Sequence, residues 1–296
     1  MRKTEAGKGR ALMDLLVTTE WLAKEQGASD LRIVDATWFL PDAGRNAAAE
    51  YEGGHIAGAV FMDLEELADS NSSLPNTLPP PEKFASRMQS LGLGDGSRIV
   101  VYDDSSFKSA TRAWWMLTLF GAHDVAILDG GIAKWKAEGR PLETGKPKLR
   151  HRHFTVWQDD KGVKNKADML ANLHSKDAVV VDARGAGRFT GEDPEPRADM
   201  ASGHIPGSRN LPYSNLYNTD GTWKRGDALI AAFADAGVDL DKPMITTCGS
   251  GMTAAVVLFG ARLTGKKDVA LYDGSWSEWG LDKDTPKAQG QAAGAA

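Results

Sequence analysis

The only cysteine of this 296-residue chain, Cys248, lies in the stretch CGSGMT between an apolar run and a helical pattern. A thiolate is a strong nucleophile, and glycines such as Gly249 and Gly251 let a loop aim several backbone N–H groups at one point. The dipole of the following helix adds partial positive charge there. We therefore expect a reactive cysteine presented to solvent, although most free cysteines are small buried hydrophobes.

Two arginines form a second group with chemical potential. Arg188 and Arg197 lie in GRFTGEDPEPRADM, upstream of the cysteine. A guanidinium group binds a carboxylate with two parallel hydrogen bonds, so the pair could hold an anionic substrate. The alternative is that both are solvated surface arginines, and their spacing alone does not separate the two interpretations.

The chain contains an internal sequence repeat, and the repeated elements must position Cys248, Arg188 and Arg197. Four blocks recur in the same order. They are LRIVDATW with AVVVDARG, EGGHIAGAVFMDL with ASGHIPGSRNLPY, RIVVYDD with PMITTCG, and DVAILDGGIAKW with DVALYDGSWSEW. We predict two homologous domains, at 14–140 and 163–282, joined by a linker at 141–162 and followed by a disordered tail at 283–296.

The local pattern predicts an α/β fold in both halves. Short β-branched runs, such as Ile99–Tyr102 and Ile245–Thr247, alternate with helical stretches such as SATRAWWMLTLFG. This alternation predicts parallel sheets with helices on both faces. Ligands bind such sheets beyond the carboxyl ends of the strands, which is where Cys248 falls.

The repeat also sorts candidate residues. His55 and His204 both stand in GHI-x-G, and Asp129 and Asp273 are paired in the same way, so we assign them to the fold. Cys248 has no such counterpart, because the first half has Asp103 in its place. A residue found in one half alone is the better candidate for a site.

Composition narrows the function classes. A net charge of -5 and a pI near 5.7 disfavour nucleic acid as a partner, and no run is long and apolar enough for a membrane helix. One cysteine excludes an intramolecular disulfide and a thiolate-rich metal site within one chain. We expect a cytoplasmic protein that needs no metal or organic cofactor.

These blocks, with a single cysteine in the second half, resemble the two-domain rhodanese-like sulfurtransferases from Val17 to Leu281. The loop CGSGMT resembles C-G-[ST]-G-V-T, which is typical of members that use 3-mercaptopyruvate. Members that use thiosulfate carry basic residues directly after the cysteine, where this chain has Gly249 and Ser250. The resemblance implies two tandem rhodanese-like domains, of which the second is catalytic.

The resemblance also implies roles for individual residues. Cys248 would carry a persulfide, with Ser250 as a hydrogen-bonding partner in catalysis. The loop residues Gly249, Gly251, Met252 and Thr253 would bind the transferred sulfur through their backbone N–H groups, and Arg188 and Arg197 would bind the carboxylate and keto oxygen. Many members carry a first-domain histidine where this chain has Asn76, and Glu65 would be the acidic neighbour.

The implied activity is the transfer of sulfur from 3-mercaptopyruvate to cyanide or to a thiol such as thioredoxin or glutathione, with release of pyruvate. Thiosulfate:cyanide transfer and a non-catalytic persulfide carrier are the alternatives. A cysteine phosphatase is disfavoured, because the position six residues after the cysteine, where such sites need arginine, is Ala254.

Overall fold

The computed structural model describes residues 11–291, in which both halves form an α/β domain. The strands are β1 (Leu16–Val17), β2 (Leu31–Asp35), β3 (His55–Ile56), β4 (Ala59–Phe61), β5 (Arg98–Tyr102), β6 (Asp124–Leu128), β7 (Leu142–Glu143), β8 (Val163–Lys164), β9 (Val179–Asp182), β10 (Arg209–Asn210), β11 (Met244–Thr247) and β12 (Val269–Tyr272). The helices are α1 (Thr19–Glu25), α2 (Ala47–Gly53), α3 (Leu64–Leu67), α4 (Pro81–Ser90), α5 (Ala110–Leu119), α6 (Gly131–Ala137), α7 (Lys166–Ser175), α8 (Ala186–Thr190), α9 (Gly226–Asp235), α10 (Ala254–Leu263) and α11 (Ser275–Trp279).

Each half contains one five-stranded sheet. The first has the order β1-β6-β5-β2-β4 and the second has the order β10-β9-β11-β12-β8. All strand pairs within these two sheets are parallel. The predicted parallel α/β architecture is therefore confirmed, and the carboxyl ends of β5 and β11 lie at equivalent edges of the two sheets.

The buried strands follow from their sequences. Residues 98–102 and 244–247 are buried along their whole length, as continuous apolar and β-branched runs in a covered sheet should be. The helices that follow them, α5 and α10, are also buried almost throughout. A helix that is apolar on all sides has to lie inside the protein.

The two domains pack on each other through α5 and α10. Trp114 of α5 meets Phe259 of α10 edge to face, with ring centroids 4.8 Å apart. Both helices belong to one buried apolar cluster that includes residues of both halves. Trp114 and Trp115 are both buried and are thus packing residues.

The paired aspartates cross the domain boundary in opposite directions. Asp129 of the first domain accepts hydrogen bonds from the Trp223 amide at 2.9 Å and from Arg225 at 2.7 Å. Asp273 of the second domain accepts hydrogen bonds from Arg112 and from the Leu78 amide, both at 2.8 Å. One repeated residue therefore ties each domain to the other.

The segments outside the repeats are more ordered than we predicted. The linker contributes β7, which pairs with β3, and it buries Phe154 in the core. The prediction of a disordered tail from 283 is wrong as far as residue 291. Thr285 is buried, the Trp279 indole donates to the Pro286 carbonyl, and Ala288 pairs with His204. This part of the tail therefore packs on the second domain. Residues 292–296 lie outside the described part of the chain.

Among residues 11–291, no helix has the length and apolar character needed to span a bilayer.

Candidate active site

Cys248 follows β11 directly, at the position that Asp103 occupies after β5. The match is visible in the ladder, because the Ala183 amide donates to the Thr247 carbonyl as the Ala36 amide donates to the Tyr102 carbonyl, both at 2.9 Å. The thiol and the Asp103 carboxyl are therefore equivalent groups at the start of equivalent loops.

The two loops differ in how their amides are used. In the first domain the Asp103 carboxyl accepts from the Ser105 amide at 3.2 Å and from the Ala110 amide at 2.6 Å, so it caps α5 itself. Burial raises the pKa of Asp103 to about 6. This loop satisfies its own donors.

In the second domain the amides remain available. Within residues 11–291, the backbone N–H groups of 249–254 donate to no protein acceptor, and α10 has no side-chain cap. Gly251 supports this loop with a left-handed φ of 77°, which glycine adopts without strain. The loop is thus a set of unused donors beside a thiol, which is the arrangement that stabilises an anion.

The expectation that Cys248 is presented to solvent is wrong. The residue is only 2% exposed. The segment that begins α11 holds its backbone, since the Cys248 amide donates to Ser275 Oγ at 3.3 Å and the Cys248 carbonyl accepts from the Trp276 amide at 2.9 Å. Gly249 and Ser250, the next two residues of the loop, remain partly exposed.

Arg188 is brought to the loop. A Cβ atom placed on Gly249 would lie 3.4 Å from its Nη2, which puts the guanidinium directly against the residue after Cys248. Glu195 Oε2 accepts from Nη2 at 2.5 Å and from Nε at 3.2 Å. The Arg188 side chain keeps 29% exposure, so it can still meet a ligand.

Arg197 is placed differently. Its guanidinium forms a surface ion pair with Asp199 at 2.9 Å, with 46% of the arginine side chain exposed. Within residues 11–291, its side chain hydrogen-bonds to Asp199 alone. The structure therefore joins only one arginine of the predicted pair to the loop.

Ser250 and Asn76 meet across the domain boundary. The Asn76 side-chain amide donates to Ser250 Oγ at 2.9 Å, and Asn76 has a left-handed φ of 58°. Glu65 lies exposed on α3, and its carboxylate has no hydrogen-bond or ion-pair partner in residues 11–291. The structure thus brings Asn76 to Ser250, whereas it does not connect Glu65 to either residue.

Sequence reasoning missed Arg112, a first-domain residue at the loop. Its side chain is 2% exposed and donates to the Gly251 carbonyl at 3.2 Å, to the Asn76 carbonyl at 2.5 Å and to Asp273 at 2.8 Å. The guanidinium also lies 4.5 Å from the Trp115 ring centroid. One signal could have found it, since a lone arginine in an apolar helix has to be paired.

The repeated histidines serve the fold. Nδ1 of His55 contacts the Tyr51 carbonyl and Nδ1 of His204 contacts the Phe189 carbonyl, both at 2.8 Å. Each ring stacks on the aromatic ring of the same partner residue. Burial lowers the pKa of His204, which keeps that imidazole neutral. Residues 11–291 contain no cluster of three or more His, Cys, Asp or Glu suited to a metal ion.

Comparisons with known proteins agree with the repeat. The family description "Rhodanese-like domain" matches residues 18–138 and 165–282. The chain is 44% identical to a 3-mercaptopyruvate sulfurtransferase of Escherichia coli K12 over 271 residues, covering 91% of this chain and 96% of the relative. It is 40% identical to a thiosulfate sulfurtransferase of Cricetulus griseus over 277 residues, covering 91% and 93%.

Among solved structures, a 3-mercaptopyruvate sulfotransferase from Escherichia coli, described as having the rhodanese fold, superposes with a TM-score of 0.82 at 42% identity. The match covers 90% of this chain and 100% of the other. The family description covers both repeated domains and therefore most of the sequence. This chain belongs to the rhodanese-like family.

Proposed function

We propose that this chain is a 3-mercaptopyruvate sulfurtransferase. The observation that carries the proposal is the loop after β11, which follows Cys248 and whose backbone N–H groups at 249–254 donate to no acceptor in the described part of the chain. The same loop in the first domain is closed by Asp103. A loop kept open in this way suits a group whose negative charge appears only during the reaction.

In the first half-reaction the Cys248 thiolate attacks the sulfur of 3-mercaptopyruvate. A sulfur–sulfur bond forms and the carbon–sulfur bond of the substrate breaks, with its electron pair passing to the enolate of pyruvate. Protonation of the enolate carbon gives pyruvate, and the persulfide remains on Cys248. The loop amides would stabilise the outer sulfur as an anion.

We infer that Ser250 assists the leaving group. Because the Asn76 amide donates to Ser250 Oγ, the hydroxyl proton stays available for a further acceptor. We infer that it donates to the keto oxygen while the enolate forms. Asn76 itself cannot transfer a proton at neutral pH, so its role is to orient the hydroxyl.

In the second half-reaction an acceptor attacks the outer sulfur. A thiol becomes a persulfide, or cyanide becomes thiocyanate, and the Cys248 thiol is restored. Two half-reactions through one covalent intermediate give ping-pong kinetics. We infer a reduced thiol such as thioredoxin or glutathione as acceptor, which the reducing cytoplasm supplies.

Thiosulfate is the second candidate donor, because a thiosulfate sulfurtransferase is among the similar proteins. Its two negative charges call for cations at the loop. This loop has Gly249 and Ser250 after the cysteine. Of the two guanidinium groups at the loop, Arg112 is buried and paired with Asp273, and Arg188 is partly exposed and paired with Glu195. Because each is partly neutralised by a carboxylate, the loop favours a single carboxylate, and we place thiosulfate second.

The intermediate provides the direct test. Treatment of the protein with 3-mercaptopyruvate, without an acceptor, should add one sulfur atom to the peptide that contains Cys248, as read by mass spectrometry. Cyanide should then remove that sulfur and yield thiocyanate. One pyruvate should be released for each sulfur atom added. An unmodified peptide would contradict the transferase and favour the non-catalytic carrier, whose persulfide a partner has to deliver.

Substitution of the arginines should separate their contributions. Arg188→Ala is expected to raise the KM for 3-mercaptopyruvate by roughly 10- to 100-fold, since losing a charged hydrogen bond costs about 1.5–3 kcal/mol. Arg197→Ala should raise it less, because that guanidinium already lies in an exposed pair with Asp199. Steady-state kinetics measure both, and an unchanged KM in both variants would refute carboxylate binding by these residues.

A further inference from the structure

The buried charged side chains behind Arg188 form a continuous ion-pair network. Arg184 donates to Asp182 at 2.7 Å and to Glu195 at 2.7 Å, and Glu195 in turn pairs with Arg188 at 2.5 Å. The side chains of Asp182, Arg184 and Glu195 are each 1% exposed. Only Arg188, the last member, reaches the loop at Gly249.

The four side chains of this ion-pair network together carry no net charge. Two carboxylates alternate with two guanidinium groups, and Glu195 is shared between both arginines through its two oxygens. Arg184 is also fixed by the Gly203 carbonyl at 2.7 Å, so its donors are directed away from a ligand. The attraction that Arg188 exerts on an anion is therefore reduced by a carboxylate in direct contact with it.

We propose that Glu195 determines which donor charge the site accepts. Because the Glu195 carboxylate pairs with Arg188, the Arg188 end of this ion-pair network suits a substrate with one negative charge and disfavours a substrate with two. This inference rests on the proposed function and adds a residue that sets donor choice. Glu195 is a positioning and charge-setting residue, because it contacts Arg188 and Arg184 rather than the reacting sulfur.

The test is Glu195→Gln, which removes the charge and keeps the shape. The kcat/KM for thiosulfate, divided by that for 3-mercaptopyruvate, should rise on the order of 10-fold at low salt, since an added net positive charge attracts a dianion more than a monoanion. The rise should shrink at high ionic strength. A purely structural role would lower both values together and leave the ratio unchanged.

Two control variants make the result specific. Glu195→Asp keeps the charge, so its ratio should stay near that of the parent even if both activities fall. Asp239→Asn removes one carboxylate from the exposed pair with Lys242, and it should also leave the ratio unchanged. A shift as large in Asp239→Asn as in Glu195→Gln would show that overall charge, rather than Glu195, sets the preference.

A second readout does not depend on the enzymatic activity. Cys248 is the only cysteine, so alkylation reports on this site alone. The rate with anionic iodoacetate, divided by the rate with neutral iodoacetamide, should rise about 3- to 10-fold in Glu195→Gln. An unchanged alkylation ratio would overturn the charge-setting role. A risen alkylation ratio in a protein without pyruvate release would instead overturn the proposed function.

Discussion

Replacing Cys248 by serine is expected to abolish pyruvate release from 3-mercaptopyruvate, with a fall in kcat of roughly 10⁴-fold or more, as for other lost nucleophiles. A serine hydroxyl stays protonated at neutral pH and cannot form a persulfide. The residue is 2% exposed and its backbone is held by Ser275 and Trp276, so the loop should keep its conformation. A coupled pyruvate assay measures the effect.

The control is a change of similar size in the equivalent loop of the first domain. Ser106→Ala alters an exposed residue of that loop and should leave both kcat and thermal stability within about twofold and 0.5 kcal/mol of the parent. Substantial turnover by Cys248→Ser, in a variant that melts like the parent, would sink the covalent mechanism.

Arg112→Met should cost both stability and rate. The substitution leaves the Asp273 carboxylate and the carbonyls of Asn76 and Gly251 without their buried donor. Breaking one partner of a buried ion pair lowers the free energy of unfolding by about 3–5 kcal/mol. Because the Gly251 carbonyl is part of the loop, kcat should also fall on the order of 10- to 100-fold. Chemical denaturation and the pyruvate assay give the two values.

Arg225→Met is the matched control for that prediction. Arg225 also crosses the domain boundary to an aspartate, Asp129. Its side chain is 54% exposed, however, whereas that of Arg112 is 2% exposed. Exposed ion pairs contribute about 0–1 kcal/mol, so this variant should unfold almost like the parent. Equal losses in both variants would show that Arg112 acts through general domain contact and has no particular effect on the loop.

Much of the fold was predictable because it depends on local pattern. The buried strands 98–102 and 244–247 are predictable because they are short β-branched runs. The four repeated blocks indicate two domains from the sequence alone. The repeat also assigned His55 and His204 correctly to packing, since both rings stack on an aromatic neighbour and contact a carbonyl.

The remaining features depend on contacts between residues distant in the chain. Residues 275–277 hydrogen-bond to Cys248 and Gly249, which lie 27 and 28 residues away from them in the chain. Arg112 lies 139 residues from Gly251, whose carbonyl it binds. Ordering of residues 283–291 likewise requires the pairing of Ala288 with His204, which a small, polar sequence does not suggest.

The contact between α5 and α10 has a consequence for how such a chain can evolve. Only one half carries the cysteine, yet each half covers the apolar helix of the other. A gene shortened to the cysteine-bearing half would encode a polypeptide with a large unshielded hydrophobic surface, which promotes aggregation. Loss of the half without the cysteine would therefore be selected against even if that half had no chemistry of its own.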